Sequence, residues 1–290
     1  MVNAGALYVN GLHLVYIGNT SITVNAGAAR DITNQDDIVL AADTTLSIAS
    51  NGVNALDTGT VAASTFYYVY AIGSSLAANP EINNITQVST LASGTTVLNG
   101  IVVAEGTVAQ PTWSVNNNYQ PATLFSLSNN APTLPEGYDM FRRIGAVLTD
   151  GSSHILSFWQ DFAGNGTNRK MWYDAPISVL AASASATFVA QALNVAVPSI
   201  SAGISSTEVQ FQADLLPNAA ANFVEIRPTG STAAAGNVKM SGSVAAVHKF
   251  DQLQAIANLN TASPPQLSID WITDAASTVA LTVSAYIDKL

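Results

Sequence analysis

The sequence predicts an all-β protein, because apolar and polar side chains alternate along most of its segments. In residues 207–213, for example, every second side chain is apolar, which is the pattern of a strand with one buried and one solvated face. Turn pairs such as Asn10-Gly11, Asn51-Gly52 and Asp150-Gly151 separate these segments. Short strands divided by such turns are typical of β-sandwiches and barrels.

We expect two β-sandwich or jelly-roll-like domains, over residues 1–168 and 169–290. At 290 residues the chain is long for a single sandwich. Residues 161–170 contain Gly164-Asn165-Gly166 followed by Arg169-Lys170, a composition typical of a linker. After this segment aromatic residues become rarer, while Ala, Ser and Val become commoner. This change of composition places the expected domain boundary there.

In the N-terminal half, strands are expected where apolar runs lie between turn residues. A hairpin through Asn10-Gly11 should join residues 6–9 to residues 12–17. Residues 65–72 are apolar on both faces, which predicts a central strand covered on both sides. A further hairpin is expected to turn at Asn99-Gly100.

In the C-terminal half, alternation continues to the end of the chain. Residues 181–193 and 250–259 also allow a helix, but their period of two favours strands. Residues 277–288 predict a last strand with Tyr286 on the exposed face. Its buried side chains should be Val279, Leu281, Val283, Ala285 and Ile287.

Charge is scarce in this chain: 10% of the residues are charged and 48% are hydrophobic. Such a surface suits subunits that pack against one another, since buried interfaces are depleted in charge. The net charge of −10 argues against nucleic acid as a partner, because phosphate binding needs clustered Lys and Arg. No apolar run approaches the roughly 18 residues of a transmembrane helix, so we expect no membrane insertion.

The sequence contains no catalytic, cofactor-binding or metal-binding motif. Cysteines are absent, which excludes thiolate nucleophiles and Cys-based metal sites. Asp270 and Asp274 flank Trp271, as carboxylates would flank a sugar, but we favour a structural role with Trp271 in the core. The three histidines are spread along the chain, at His13, His154 and His248. We therefore expect a protein with no enzymatic activity and no cofactor.

One stretch organises the chain, residues 134–151, with the sequence LPEGYDMFRRIGAVLTDG. Pro135 and Gly137 predict a turn at its start, because proline fixes φ and glycine accepts a positive φ. A strand should follow, and Asp150-Gly151 predicts a hairpin into residues 154–159.

Within this strand Arg142 and Arg143 should point to opposite faces. Strict alternation would place Gly145 on the same face of the strand as Arg143, and Ala146 on the same face as Arg142. We expect one arginine to pair with a carboxylate, and both are candidate subunit-contact residues, since the planar guanidinium suits such pairing.

The run LPEGYDMFRRIGAVLTDGS, with LDTGTVAASTFYYVYAI at residues 56–72, resembles a module of tail-fibre and other virion proteins of tailed bacteriophages. The likeness spans residues 56–151. It implies a non-enzymatic virion protein that forms homotrimers on capsid, collar or tail proteins and is made in the cytoplasm of the host bacterium. The chain lacks the heptads and repeats of a long shaft, which favours a short fibre, a collar piece or a head-decoration protein.

The alternative is a carbohydrate-binding or receptor-binding module that recognises a glycan on the host surface. Aromatic side chains offer stacking faces for sugars, although most should lie in the core or in subunit contacts. The aromatic candidates are Trp113, Trp159, Trp172, Trp271, Tyr67, Tyr119, Tyr138 and Tyr173. The Asn-rich residues 113–119 are the least core-like, so Trp113 and Tyr119 are the candidate recognition tip.

Overall fold

The computed structural model describes residues 8–74, 96–98, 101–103, 120–162, 168–199, 204–232, 237–274 and 276–290. Within these residues the chain forms strands and no helix, so the predicted all-β class is confirmed. The sheets pack face to face in a sandwich-like arrangement around one large hydrophobic core, to which both halves of the chain contribute.

The strands of the N-terminal half are β1 (Val9–Gly11), β2 (Leu14–Gly18), β3 (Ser21–Val24), β4 (Gly27–Arg30), β5 (Asp37–Leu40), β6 (Thr44–Ser47), β7 (Ala55–Leu56), β8 (Phe66–Gly73), β9 (Thr96–Leu98), β10 (Ile101–Val103), β11 (Ala122–Ser126), β12 (Met140–Leu148) and β13 (Phe158–Phe162). Those of the C-terminal half are β14 (Asn168–Ser183), β15 (Val189–Ala192), β16 (Ser206–Leu216), β17 (Phe223–Pro228), β18 (Val238–Ser241), β19 (Lys249–Leu259), β20 (Leu267–Thr273) and β21 (Thr278–Lys289).

The first six strands form two three-stranded sheets, so the hairpin predicted through Asn10-Gly11 is wrong. β1 pairs with β4 and β4 with β5, whereas β2 pairs with β3 and β3 with β6. Gly11 and Leu12 both have a positive φ, 65° and 55°, and this bend sends the chain from one sheet into the other. A Cβ atom on Gly27 would lie 2.4 Å from the Asn10 carbonyl oxygen, so only glycine lets the backbones approach this closely.

β8 is the central strand that the sequence predicts. It lies between β12 and β11 in a four-stranded sheet of order β12-β8-β11-β7. Val69 and Ala71 pack into the main core, while Tyr68, Tyr70 and Ile72 pack into a second, smaller apolar cluster on the other face. The predicted pairing of β9 with β10 is also confirmed, and the turn residues between them lie outside the described part of the chain.

A β-bulge in β12 overturns part of the predicted alternation. Arg143 and Gly145 lie opposite consecutive residues of β8, so Ile144 is an extra residue on the bulged strand. After the bulge the facing is inverted, and Ala146 shares the face of Arg143 instead of the face of Arg142.

The segments that flank β12 match the predicted turns only in part. Gly137 has a φ of 86°, as the predicted turn requires. After β12, Thr149 bridges Ile155, and the Asp150 carboxylate accepts a hydrogen bond from the His154 backbone N–H at 2.9 Å. The expected long hairpin ends there, because β13 leaves β12 and pairs with β14.

The largest sheet has the order β13-β14-β21-β16-β19-β20-β17-β18, and β15 also pairs with β20. The strands predicted over residues 207–213 and 250–259 are confirmed as β16 and β19. On one face, which we call the inner face, apolar side chains enter the main core. We call the opposite face the outer face.

A second bulge, in β21, corrects the predicted facing of the last strand. Ala285 and Val283 lie opposite consecutive residues of β16, so Ser284 is an extra residue. The inversion turns Tyr286 and Asp288 into the core, where they are 2% and 1% exposed. The prediction that Tyr286 is exposed is therefore wrong.

The segment expected to link two domains has paired strands at both of its described ends. β13 ends at Phe162 and β14 begins at Asn168, and the two strands run antiparallel as neighbours in the largest sheet. Arg169 is fully buried. This arrangement differs from an exposed linker, while the division of the chain at residues 168 and 169 stays a prediction.

Candidate functional site

Arg143, one of the two predicted contact residues, forms a buried ion pair with Asp288 of the last strand. Its guanidinium lies 4.7 Å from the centroid of the Tyr68 ring, and Nη1 donates to the Ser199 carbonyl oxygen at 3.2 Å. Burial raises the pKa of the Asp288 carboxyl, and the Arg143 guanidinium opposes that rise. The carboxylate that Arg143 meets therefore belongs to the same chain.

A second buried guanidinium, that of Arg169, ties the largest sheet to the N-terminal strands. Its Nη2 donates to the Gly11 carbonyl oxygen at 2.6 Å, and Nη1 lies 3.2 Å from His13 Nε2. Burial lowers the pKa of Arg169 to about 10, and the charge of Asp288 opposes this shift. Burial and the charge of Arg169 also lower the pKa of His13, which favours a neutral imidazole at this contact. The cluster holds the two halves together.

Arg142 points to the opposite face of β12 and is 5% exposed. Burial lowers the pKa of its guanidinium, and the nearby charge of Asp31 opposes this shift. Both predicted arginines are thus buried in the chain, and contact of either with a neighbouring subunit stays a prediction. Trp113 and Tyr119, the predicted recognition tip, lie outside the described residues.

The outer face of the largest sheet contains a groove, here called the Phe250 groove. Two rows of cross-strand neighbours line it: Ala280, Asp214 and Phe250 in one row, and Thr282, Gln212 and Gln252 in the other. The groove is open to solvent and has a volume of about 650 Å³. The small side chains of β21 leave a depression, and the large Phe250 ring on β19 stands at its side.

The aromatic side of the Phe250 groove is held in place by its neighbours. Phe250 is 72% exposed, and the His248 ring stacks on it with 6.0 Å between centroids and 13° between planes. His248 Nδ1 lies 2.7 Å from Asp214 Oδ1. Asp251 pairs with Ala213 of the inner face, so its side chain points away from the groove, where Lys249 Nζ lies 4.0 Å from Asp251 Oδ2. Asp214, the carboxylate on the groove side of the sheet, thus has a basic group beside it.

A second aromatic feature lies at the β13 edge of the sheet, and we call it the Trp pair. Trp159 and Trp172 are cross-strand neighbours whose rings stack with 5.8 Å between centroids and 12° between planes. Lys170 Nζ lies 4.1 Å from the centroid of the Trp172 ring. Trp159 is 50% exposed. Because Trp172 and Gln210 both neighbour Ala285, the Trp pair lies on the same outer face as the Phe250 groove.

Trp271 and Asp270, which the sequence offered as a possible sugar site, have structural roles. Trp271 is 4% exposed, so the favoured core position is confirmed, and Asp270 pairs with Arg227 at 3.4 Å. Among the described residues, no three His, Asp or Glu side chains lie close enough together to hold a metal ion. In the same part of the chain there is no helix with the length and apolar character needed to cross a membrane.

Neither Asp288 nor the Phe250 groove was predicted from the sequence. The position of Asp288 depends on the bulge at Ser284, and nothing in the local alternation marks that bulge. The groove had a weak signal: Phe250 follows His248 by two residues, which places both rings on one side of a strand. Trp159 and Trp172 were identified as candidates, but their stacking depends on the register of β13 against β14.

No protein-family model matches the chain, and no curated protein matches it. A search of solved structures finds a chain in the structure of infectious bursal disease virus, Gx strain, at 11% identity and a TM-score of 0.20. The match covers 98% of the present chain and 66% of the viral one, so the present chain spans just under two thirds of the viral chain's length.

Proposed function

We propose that the chain is a non-enzymatic structural subunit of a tailed-phage virion, a short fibre, collar or head-decoration protein, that assembles with copies of itself. The proposed self-assembly rests on one observation, the exposed Trp pair. The phage assignment rests on the resemblance of residues 56–151 to virion modules. The other partners are virion proteins of the capsid, collar or tail.

The Trp pair has the physical properties of a subunit contact. Tryptophan is among the residues that contribute most binding energy at interfaces, because its ring removes a large apolar area from water. Trp159 stacks on Trp172, and Lys170 lies over the Trp172 ring. These contacts restrain Trp159 before any partner binds. A restrained side chain loses less conformational entropy on association. With only 10% charged residues in the chain, few charges must be desolvated when such surfaces meet.

Light scattering on the purified protein tests this proposal. We expect a mass of about three times the 30.0 kDa chain, where the threefold number comes from the resemblance and self-association from the Trp pair. Trp159→Ser should lower the mass toward that of one chain while the circular dichroism spectrum is retained. Val195→Ser is a matched control, because Val195 is similarly exposed, at 51%, but is not part of the Trp pair.

Two results would contradict the proposal. One is a monodisperse wild-type monomer at micromolar concentration. The other is an oligomer whose mass is the same in the Trp159→Ser and Val195→Ser variants and in the wild type.

A further inference from the structure

The outer face also contains a polar groove that self-assembly through the Trp pair does not use. We propose that the Phe250 groove binds a neutral polysaccharide, with the apolar face of one sugar ring on Phe250 and its hydroxyl groups on the polar side chains of the groove. This inference is independent of the proposed structural function, because the groove and the Trp pair lie at different places on the sheet.

The shape of the groove supports this proposal. Its floor consists of two rows of residues, and each row crosses three strands. Neighbouring strands lie about 4.8 Å apart, and residues i and i+2 of one strand lie about 6.7 Å apart. This floor has the size of one or two sugar rings. The volume of about 650 Å³ falls within the range of ligand sites in proteins.

The hydrogen-bonding groups of the groove also fit a sugar. A sugar hydroxyl donates one hydrogen bond and accepts others, so it needs partners of both kinds. Gln212 and Gln252 each supply a donor and an acceptor, Thr282 supplies a hydroxyl, and the Asp214 carboxylate supplies acceptors. Gln252 is already oriented, since its Oε1 accepts from Gln210 Nε2 at 3.0 Å.

The aromatic ring of Phe250 offers a stacking face for a sugar. The C–H groups on one face of a sugar ring are apolar and pack on an aromatic face. Asp214 positions His248, and His248 stacks on Phe250, so the exposed ring is restrained before a ligand binds. Restraint of this kind lowers the entropic cost of binding.

The charges of the groove select against acidic ligands. Asp214 would repel a carboxylate or sulfate, and His248, the basic group beside it, is already engaged. The chain as a whole has a net charge of −10, which adds to this repulsion. A neutral glycan is therefore the favoured occupant, ahead of an acidic polysaccharide.

The test is affinity electrophoresis of the whole protein in gels that contain neutral glucan, mannan, galactan or xylan, followed by titration calorimetry with the polysaccharide that retards it most. We expect retardation by at least one of them. Phe250→Ala should weaken binding about tenfold, through loss of the stacking face. Gln252→Ala should weaken it through loss of one amide. Ile256→Ala is the matched control, because this exposed residue lies on the same strand and face but outside the groove.

Three results would overturn the inference. The first is the absence of retardation by all four polysaccharides. The second is equal weakening by Phe250→Ala and Ile256→Ala. The third is a lower oligomer mass in Phe250→Ala than in wild type, which would assign the groove to a second copy of the chain. Because the Trp159→Ser variant tests assembly separately, failure of one proposal is distinguishable from failure of the other.

Discussion

The four-stranded sheet around β8 and the nine-stranded sheet around β16 differ in how many faces they bury. β8 is covered on both sides, by the main core and by a second cluster of tyrosines and aliphatic residues. β16 buries Val209, Phe211 and Ala213 but leaves Gln212 exposed on the other face. The first sheet therefore has no open face around its central strand, whereas the second has a large one.

This difference in burial indicates which region has a structural role and which region is available for binding. In the four-stranded sheet even the charged residues serve the interior, since Arg142 and Arg143 are each 5% exposed. The outer face of the larger sheet instead places its aromatic rings, those of Trp159 and Phe250, in solvent. We interpret the first region as the framework that fixes the two halves, and the outer face as the surface for recognition.

The largest expected effect comes from the buried ion pair that joins the two regions. Asp288→Ala leaves the Arg143 guanidinium without its carboxylate in the interior, and should lower the free energy of unfolding by about 3–5 kcal/mol. Asp251→Ala removes a carboxylate from an exposed ion pair and should cost at most about 1 kcal/mol. Urea unfolding curves measure both. Equal losses of stability in the two variants would contradict the expectation that the buried ion pair contributes more than the exposed one.

The next effect is expected at the bulge of β12. A Cβ atom on Gly145 would lie 2.6 Å from Leu14 Cδ1, and Leu14 is buried, so Gly145→Ala should cost about 1–3 kcal/mol through overpacking. Gly151→Ala is the control, since its Cβ would have no neighbour within 4 Å, and its effect should stay within about 0.5 kcal/mol. A Gly145→Ala variant as stable as Gly151→Ala would mean that β2 does not pack on β12 here.

A smaller, pH-dependent effect is expected at Asp31, in the loop beside Arg142. Burial would raise the pKa of Asp31, but hydrogen bonds from Thr33, Gln35 and Asp36 outweigh it and lower the pKa below the ordinary 3.8. A carboxyl with a lowered folded-state pKa stabilises the protein above its unfolded-state pKa, and this stabilisation is lost as pH falls through the folded-state pKa.

Asp31→Asn should therefore cost about 1–2 kcal/mol at pH 7 and much less near pH 2. Thermal melts of wild type and variant across this range measure the difference. Asp36→Asn, in the same loop, serves as the control for loss of a carboxylate. A penalty for Asp31→Asn that stays constant down to pH 2 would contradict the assignment.

The smallest effect on stability is expected on the outer face. Phe250→Ala and Trp159→Ser remove rings that are 72% and 50% exposed, so each should change the free energy of unfolding by less than about 1 kcal/mol. Both should nevertheless change binding or assembly. A large loss of stability in either variant would mean that the ring supports the fold, and would contradict the division between framework and surface.

Much of the fold was predictable from the alternation of side chains. The central strand β8 and the strands β16 and β19 follow from it, because burial repeats every two residues along a strand. The bulges at Ile144 and Ser284 were not predictable, since an inserted residue inverts the facing without changing the local composition. The crossing at Gly11 was missed because the same Asn-Gly pair also suits a hairpin.

The candidate site was less predictable than the fold. The buried position of Arg143 depends on Asp288, a residue 145 positions away that the bulge in β21 turns inward. The Phe250 groove depends on the register of three strands that are distant in the sequence. Trp159 and Trp172 could be identified as candidates by their chemistry, but their stacking needed the pairing of β13 with β14.

The most direct test of the account is hydroxyl-radical footprinting of the wild-type protein at concentrations where light scattering reports assembled and dissociated chains. If the Trp pair is the assembly contact and the Phe250 groove is a separate ligand site, Trp159 should be oxidised in dissociated chains and protected in assembled ones. Phe250 should stay reactive in both states and become protected only when the polysaccharide that retards the protein in affinity electrophoresis is added. A Trp159 that is oxidised equally in both states would contradict the account.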